Sequence, residues 1–301
     1  MEPKLEKKFV DLSNGERYAY VEKGKGEKTL LLIHGNMGSS LYYLPLFRRL
    51  PDDIRVIAVD LRGFGDSSYK KRFDHLDELA NDVALFIKKL KLKTPLAVVG
   101  WSAGGGVALS LASKHADLVD KVVLLNSMSY RGLPICEKDE KGQPILTKPY
   151  KTKEAMAEDP IQVKPVLDAY ASNNIDFMKY IWNLTIYTVS KPTDEDYDLY
   201  MKETFKQRCL IDLDWSLTQF NLGVGLNYSQ VEGDKSIAKM KAKLLSIYGE
   251  IDVIVPDFMV RETVGALGDK ARLVIYKNCG HSPLVDKPDQ LTKDILAFLA
   301  E

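Results

Sequence analysis

The sequence predicts an α/β protein: a mostly parallel eight-stranded sheet flanked by helices, with a helical lid inserted after the sixth strand. Three observations carry that prediction. Short apolar runs alternate along the chain with segments whose apolar residues recur at three- and four-residue steps. The runs are continuously apolar, as strands buried on both faces of a parallel sheet require. The alternation fails over residues 130–238, which are richer in charge, Tyr and Pro, and resumes immediately afterwards.

The elements follow in order. "KKFVDL" (7–12) and "RYAYVE" (17–22) flank the turn signal Ser13-Asn14-Gly15 and predict an opening hairpin. "TLLLIHG" (29–35), "RVIAVD" (55–60), "PLAVVG" (95–100) and "KVVLLN" (121–126) supply strands three to six. Between them "SSLYYLPLFRRL" (39–50), "HLDELANDVALFIKKL" (75–90) and "SAGGGVALSLASKH" (102–115) read as helices, the second with Leu76, Leu79, Val83, Phe86 and Ile87 on one face. After the break come strand "AKLLSIYG" (242–249), helix "PDFMVRETVGAL" (256–267), strand "ARLVIY" (271–276) and helix "PDQLTKDILAFLA" (288–300). The expected division is a core of residues 1–129 and 239–301 carrying a cap of residues 130–238. The cap reads as amphipathic helices without a strand. "TDEDYDLYMKETFKQR" (193–208) opens on Thr and acidic residues and closes on basic ones, a helix signature. Of its Met156, Phe177, Tyr180, Trp182, Tyr187, Tyr197 and Tyr200, most should pack inward and a minority should face the sheet's active edge.

Composition narrows the function. The chain has 301 residues with 42 basic and 42 acidic side chains, which gives no reason to expect nucleic acid or an anionic membrane as partner. No apolar run approaches the ~18 residues of a membrane span, and the first ten residues lack a signal-peptide core. Cys136, Cys209 and Cys279 are few, odd in number and far apart, so neither a disulfide framework nor a metal site is expected. The expected location is the cytoplasm, where the glycosylation triplets at Asn183 and Asn227 would be idle.

Residues 95–106, "PLAVVGWSAGGG", set Ser102 where a strand gives way to a small-residue helix. A G-x-S-x-G there forces a tight turn that pushes the hydroxyl out of the sheet, at the strand ends where α/β ligands collect. Side chains at 100 and 104 would collide with the neighbouring helix or strand. A packing role for the glycines, with Ser102 as a cap, is the plain alternative. A phosphate loop is disfavoured: G-x-x-x-x-G-K is missing, and "GFGDSS" (63–68) has Ser68 at the third glycine of a dinucleotide fingerprint.

A serine hydroxyl needs a base to become a nucleophile. Of four histidines, His34 ends a strand, His75 opens a helix and His115 closes the helix that Ser102 begins. His281, in the loop "KNCGHSPLVDKP" after the last strand, remains. The base needs a carboxylate to hold its tautomer. "YGEIDVIVP" offers Asp252, with Glu250 in reserve, whereas the strand "KVVLLN" ends in Asn126 and Ser127 without an acid. Serine, acid and base then fall in the order used by open-sheet hydrolases. Backbone N–H groups of Ala103 and Asn36 are the expected oxyanion donors. Trp101 is a candidate substrate contact, and His34 braces the loop after "LLLIHG".

With "HGNMGSS", "DLRGFGDSS", "GWSAGG", "GEIDVIVP" and "GHSPLVDKP" in this order, the chain resembles the α/β-hydrolase superfamily over nearly its whole length outside the cap. The resemblance implies the α/β-hydrolase fold, a site without cofactor or metal, and cleavage of a small-molecule ester or polyester. Ser102 in the nucleophile position argues against the Asp-dependent haloalkane dehalogenases and epoxide hydrolases. More narrowly, Gly-Trp-Ser-Ala-Gly-Gly is similar to the box of intracellular poly(3-hydroxybutyrate) depolymerases, whose partner would be a polymer granule. Carboxylesterases, carbon–carbon bond hydrolases and a non-catalytic receptor on the same fold are the alternatives.

Overall fold

The computed structural model describes residues 5–301, so the first four residues of the expected core lie outside it. Strands β1 (Lys8–Asp11), β2 (Arg17–Lys23), β3 (Lys28–Ile33), β4 (Ile54–Val59), β5 (Leu96–Trp101) and β6 (Val119–Leu125) come first. A separate ribbon of β7 (Cys136–Lys138) and β8 (Pro144–Pro149) follows, then β9 (Lys243–Gly249) and β10 (Ala271–Tyr276). The main sheet has eight strands in the order β1-β2-β4-β3-β5-β6-β9-β10. Only the β1–β2 and β2–β4 pairings are antiparallel. The five parallel pairings run from β4 to β10.

Helices α1 (Leu44–Phe47), α2 (Leu76–Lys89) and α3 (Ala103–Lys114) connect the first strands. α4 (Lys153–Ala157), α5 (Lys164–Ala171), α6 (Ile175–Thr185), α7 (Asp194–Thr204) and α8 (Leu210–Gln219) lie between β6 and β9. α9 (Asp257–Leu267), α10 (Pro283–Asp286) and α11 (Pro288–Ala300) complete the chain.

The apolar runs explain the layering. Successive side chains on a strand point to opposite faces. Leu31, Ile33, Val98 and Val122 therefore meet α2 and α3, through Leu79, Val83, Phe86, Val107 and Leu111. Leu30, Leu32, Val99 and Val123 meet Leu46, Phe47, Leu291, Ile295 and Phe298 on the other side. Each fully buried Leu, Ile, Val or Phe contributes on the order of 1.5–3 kcal/mol before conformational entropy is subtracted. All five residues of the predicted α2 face are buried.

Two local expectations are corrected. The segment 130–238 contains a strand pair, β7–β8, alongside its helices. Its turn is made by Asp139, whose carboxylate accepts the N–H groups of Lys141 and Gln143 at 2.8 Å, and by Gly142 at φ +77°. The two strands carry mostly charged or exposed residues, so no apolar alternation announced them. The predicted helix over 39–50 is a 3₁₀ turn at Ser40–Tyr43 followed by the four residues of α1. Among the described residues no helix is long and apolar enough to cross a membrane. All three cysteines are free, buried thiols.

Candidate active site

Ser102 stands between β5 and α3 at φ 53°, ψ −121°. For a non-glycine residue this left-handed conformation costs about 1–3 kcal/mol, so its surroundings must hold it in place. Its N–H donates to the Leu125 carbonyl at 2.9 Å, and its carbonyl accepts the Gly105 N–H at 2.9 Å. The flanking glycines permit the turn by close approach. A side-chain carbon on Gly100 would strike the backbone of Gly104 and Gly105, and one on Gly104 would strike the carbonyls of Ile33 and His34. Ala103 is the first residue of α3, so its N–H has no acceptor within the helix.

His281 follows β10 and is 1% exposed. Its Nδ1 lies 2.9 Å from Oδ2 of Asp252, which follows β9. Asp252 is further held by the N–H groups of Ile254 at 2.8 Å and Val255 at 3.2 Å. Burial works against its charge, yet the adjacent imidazole and these donors outweigh burial and hold the carboxyl below its ordinary range. An ionised Asp252 keeps the imidazole proton on Nδ1, which leaves Nε2 as the acceptor. Glu250, the reserve acid, turns outward and accepts the Asn278 N–H at 2.7 Å.

Two supports were missed in the sequence. Asn126, at the end of β6, donates Nδ2 to Asp252 Oδ2 at 2.7 Å and to the Gly280 carbonyl at 3.2 Å. The strand end that lacked an acid instead supplies the brace for one. Trp101 donates its indole N–H to the His281 carbonyl at 2.9 Å. An Asn closing a strand beside the acid's strand was the available signal for the first. Nothing local signalled the second.

Ser102, His281, Asn36, Ala103 and Trp101 all border one cavity of about 350 Å³, and Asp252 sits behind His281. Its far wall comes from the segment between β6 and β9, including Ile135, Val166, Ile181 and Leu217. Of the seven cap residues singled out in the sequence, Phe177 and Trp182 reach the cavity. Tyr180 is exposed, whereas Met156, Tyr187, Tyr197 and Tyr200 are buried elsewhere. The wall is mainly apolar, as in most small-molecule sites.

Residues 28–288 match the family model described as alpha/beta hydrolase fold. The chain belongs to that family. The hydrolase is 25% identical over 97% of its length to a 2-hydroxy-6-oxo-6-(2'-aminophenyl)hexa-2,4-dienoic acid hydrolase of Metapseudomonas resinovorans, covering 90% of it. It is 24% identical to Lipase 1 of Psychrobacter immobilis over 98% of this chain and 84% of the relative. An esterase from Exiguobacterium antarcticum superposes with a TM-score of 0.73 at 18% identity, over 97% of this chain and 99% of that one. With the paired histidine and carboxylate at the cavity, membership in this family makes the chain a hydrolytic enzyme.

In this hydrolase the loop after β3 is tied on both sides. His34 Nε2 accepts the Leu61 N–H at 3.1 Å, so Nδ1–H donates to the Gly35 carbonyl at 2.8 Å. Burial lowers the His34 pKa to about 4, which keeps the ring neutral. Asn36 Oδ1 accepts from Met37 N and Gln207 Nε2, each at 2.9 Å, and Nδ2 donates to Asp214 Oδ1 at 2.9 Å. Met37, at φ 58°, has its carbonyl held by Thr204 Oγ1 at 2.8 Å. The remaining histidines lie elsewhere: His75 precedes α2, and His115 contacts Asn81 at 2.8 Å. The carboxylates of Asp60, Asp66 and Glu203 are close enough together to hold a cation. The Lys7 ammonium pairs with all three and neutralises part of their charge.

Proposed function

We propose that this hydrolase cleaves carboxylic esters through an acyl-enzyme on Ser102, with His281 as base, Asp252 as its partner, and the N–H groups of Asn36 and Ala103 as oxyanion donors. The observation that carries the reading is the 2.9 Å contact between His281 and Asp252 at the wall of the cavity that Ser102 enters. In the first step Ser102 Oγ attacks the ester carbonyl and its proton passes to His281 Nε2. Asp252 stabilises the resulting imidazolium, and the two amides hold the negative oxygen. The alcohol departs with the proton from His281. Water then gives its proton to the same nitrogen, adds to the acyl-enzyme, and Ser102 leaves with the proton as the acid is released. Ala103 suits its role because its first-turn amide has no helical partner and lies at the positive end of α3.

Residues 130–238 act in this reading as the lid that keeps water from the acyl group. The apolar wall favours a short or medium acyl chain. The narrower reading as a poly(3-hydroxybutyrate) depolymerase is supported by the Gly-Trp-Ser-Ala-Gly-Gly box, while a roofed cavity of about 350 Å³ suits a small ester better than a polymer strand. Carbon–carbon cleavage of a dienoate is supported by the name of the Metapseudomonas relative.

The test is labelling with a fluorophosphonate followed by turnover of short-chain nitrophenyl esters, amorphous poly(3-hydroxybutyrate) and a ring-fission dienoate. The wild type should take one label and cleave the small esters, and Ser102→Ala should do neither. An unlabelled wild type that turns over no ester would overturn the reading. Polymer clearing or dienoate cleavage at a rate above the small esters would replace it with the corresponding alternative.

A further inference from the structure

The cavity wall holds one ionisable side chain that the mechanism above does not use. Asp214, on α8, is 6% exposed and borders the cavity together with Ser102 and His281. Its Oδ1 receives Asn36 Nδ2 at 2.9 Å, and among the described residues Oδ2 receives no hydrogen bond. The neighbouring polar groups are already engaged. Asn36 Oδ1 accepts two donors, the Gln162 side-chain oxygen accepts Lys138 Nζ at 2.9 Å, and Thr185 Oγ1 donates to the Ile181 carbonyl at 2.7 Å.

A buried carboxyl with one partner destabilises the fold unless something else meets it. Anchoring Asn36 does not account for the residue, because a neutral Asn at 214 would accept the same Nδ2–H without the cost of burying an acid. The chain that leads to it is also directional. Tyr170 O–H donates to Gln207 Oε1 at 3.0 Å, Gln207 Nε2 donates to Asn36 Oδ1, and Asn36 Nδ2 donates to Asp214. Every amide in this series is therefore fixed in orientation, and the series ends on an acceptor at the cavity wall.

We propose that Asp214 is a specificity residue, whose free oxygen accepts a hydrogen bond from a hydroxyl on the acyl part of the substrate, so that hydroxyacyl esters are preferred over their unsubstituted analogues. The inference rests on the ester-hydrolase reading. Asn36 links the two: its N–H takes the reacting carbonyl oxygen, and its side chain holds Asp214. A hydroxyl placed a few bonds from the carbonyl is the donor this arrangement selects. A keto group at the same position brings only acceptors and meets an acceptor.

Ethyl butyrate, ethyl 3-hydroxybutyrate and ethyl 3-oxobutyrate, compared by pH-stat at pH 8.5, test this directly. The wild type should favour the hydroxy ester over ethyl butyrate by about tenfold or more in kcat/KM and should disfavour the oxo ester. In Asp214→Asn the amide oxygen still accepts Asn36 Nδ2–H, so an N–H donor faces the cavity. The oxo-to-hydroxy ratio should then rise by about tenfold or more. Because the readout is a ratio within one preparation, partial unfolding of the variant cancels. Ethyl butyrate hydrolysed through Ser102 with no hydroxy preference, or an unchanged ratio in Asp214→Asn, overturns the role of Asp214 and leaves the ester-hydrolase reading standing. No ester turnover, together with no fluorophosphonate label, overturns both.

Discussion

Replacing Trp101 with Phe removes one defined bond from His281, the proposed base. The indole N–H is the donor to the His281 carbonyl, at 2.9 Å, and Trp101 itself is 2% exposed. Among the described residues no other donor reaches that carbonyl through the backbone. Leaving a buried carbonyl unpaired costs about 1–3 kcal/mol, and the smaller ring adds a partly filled void, for a total of about 2–4 kcal/mol. For a chain of 301 residues that lowers Tm by roughly 3–6 °C. The kinetic effect is separate. A base displaced by about 1 Å loses up to about a hundredfold in rate, and both steps of the proposed mechanism use His281, so kcat should fall about ten- to a hundredfold with KM little changed. Trp182→Phe is the internal control. Trp182 is equally buried and lines the cavity, but its indole nitrogen has no acceptor among the described residues. That variant should change KM more than kcat. Urea unfolding and steady-state kinetics on a nitrophenyl ester read both quantities. A Trp101→Phe enzyme that is destabilised yet keeps kcat within about threefold would refute the link between the indole and the base.

Three further predictions concern the proposed acid, its brace and the buried carboxyl. Asp252→Asn should lower kcat by as much as about 10⁴ through loss of tautomer control, whereas Glu250→Gln should stay near wild type in the same assay. Asn126→Ala and Asn126→Gly should lose activity alike, by about tenfold or more, because both remove the charge-assisted donor to Asp252. The glycine variant should be the more stable by about 1 kcal/mol in urea, since residue 126 sits at φ 43°. For Asp214, burial raises the carboxyl from its ordinary 3.8 to about 7. Between those values the folded protein holds a proton that the unfolded chain has released, so Asp214 makes stability fall as pH rises from about 4 to about 7. Asp214→Asn should therefore gain relative to wild type between pH 5 and pH 8, by at most about 3 kcal/mol, and parallel stability–pH curves would refute this.

The sheet was legible because its central strands are buried on both faces and so read as unbroken apolar runs. The turn at Ser102 was legible because two close backbone approaches demand glycine at fixed spacings around it. His281 emerged by elimination among four histidines and Asp252 from the neighbouring strand end, and the structure brings the two into contact. What escaped notice depends on partners distant in the chain. Asn126 meets Asp252, Trp101 meets His281 and Asn36 meets Asp214 across more than a hundred residues in each case. No local periodicity encodes which side-chain atom of one loop will face another. The β7–β8 ribbon escaped for a different reason, since it buries too little apolar surface to leave a pattern.

Ser102, Asn126, Asp252 and His281 each follow one of four strands that lie side by side, β5, β6, β9 and β10. Their mutual spacing is accordingly inherited from the ladder of main-chain bonds beneath them, with little left for surface loops to adjust. Lengthening an outer turn should leave the proposed chemistry in tune, whereas slipping any one of these ladders by a residue should silence it. Turnover thus doubles as a gauge of whether the middle of the sheet is still in register.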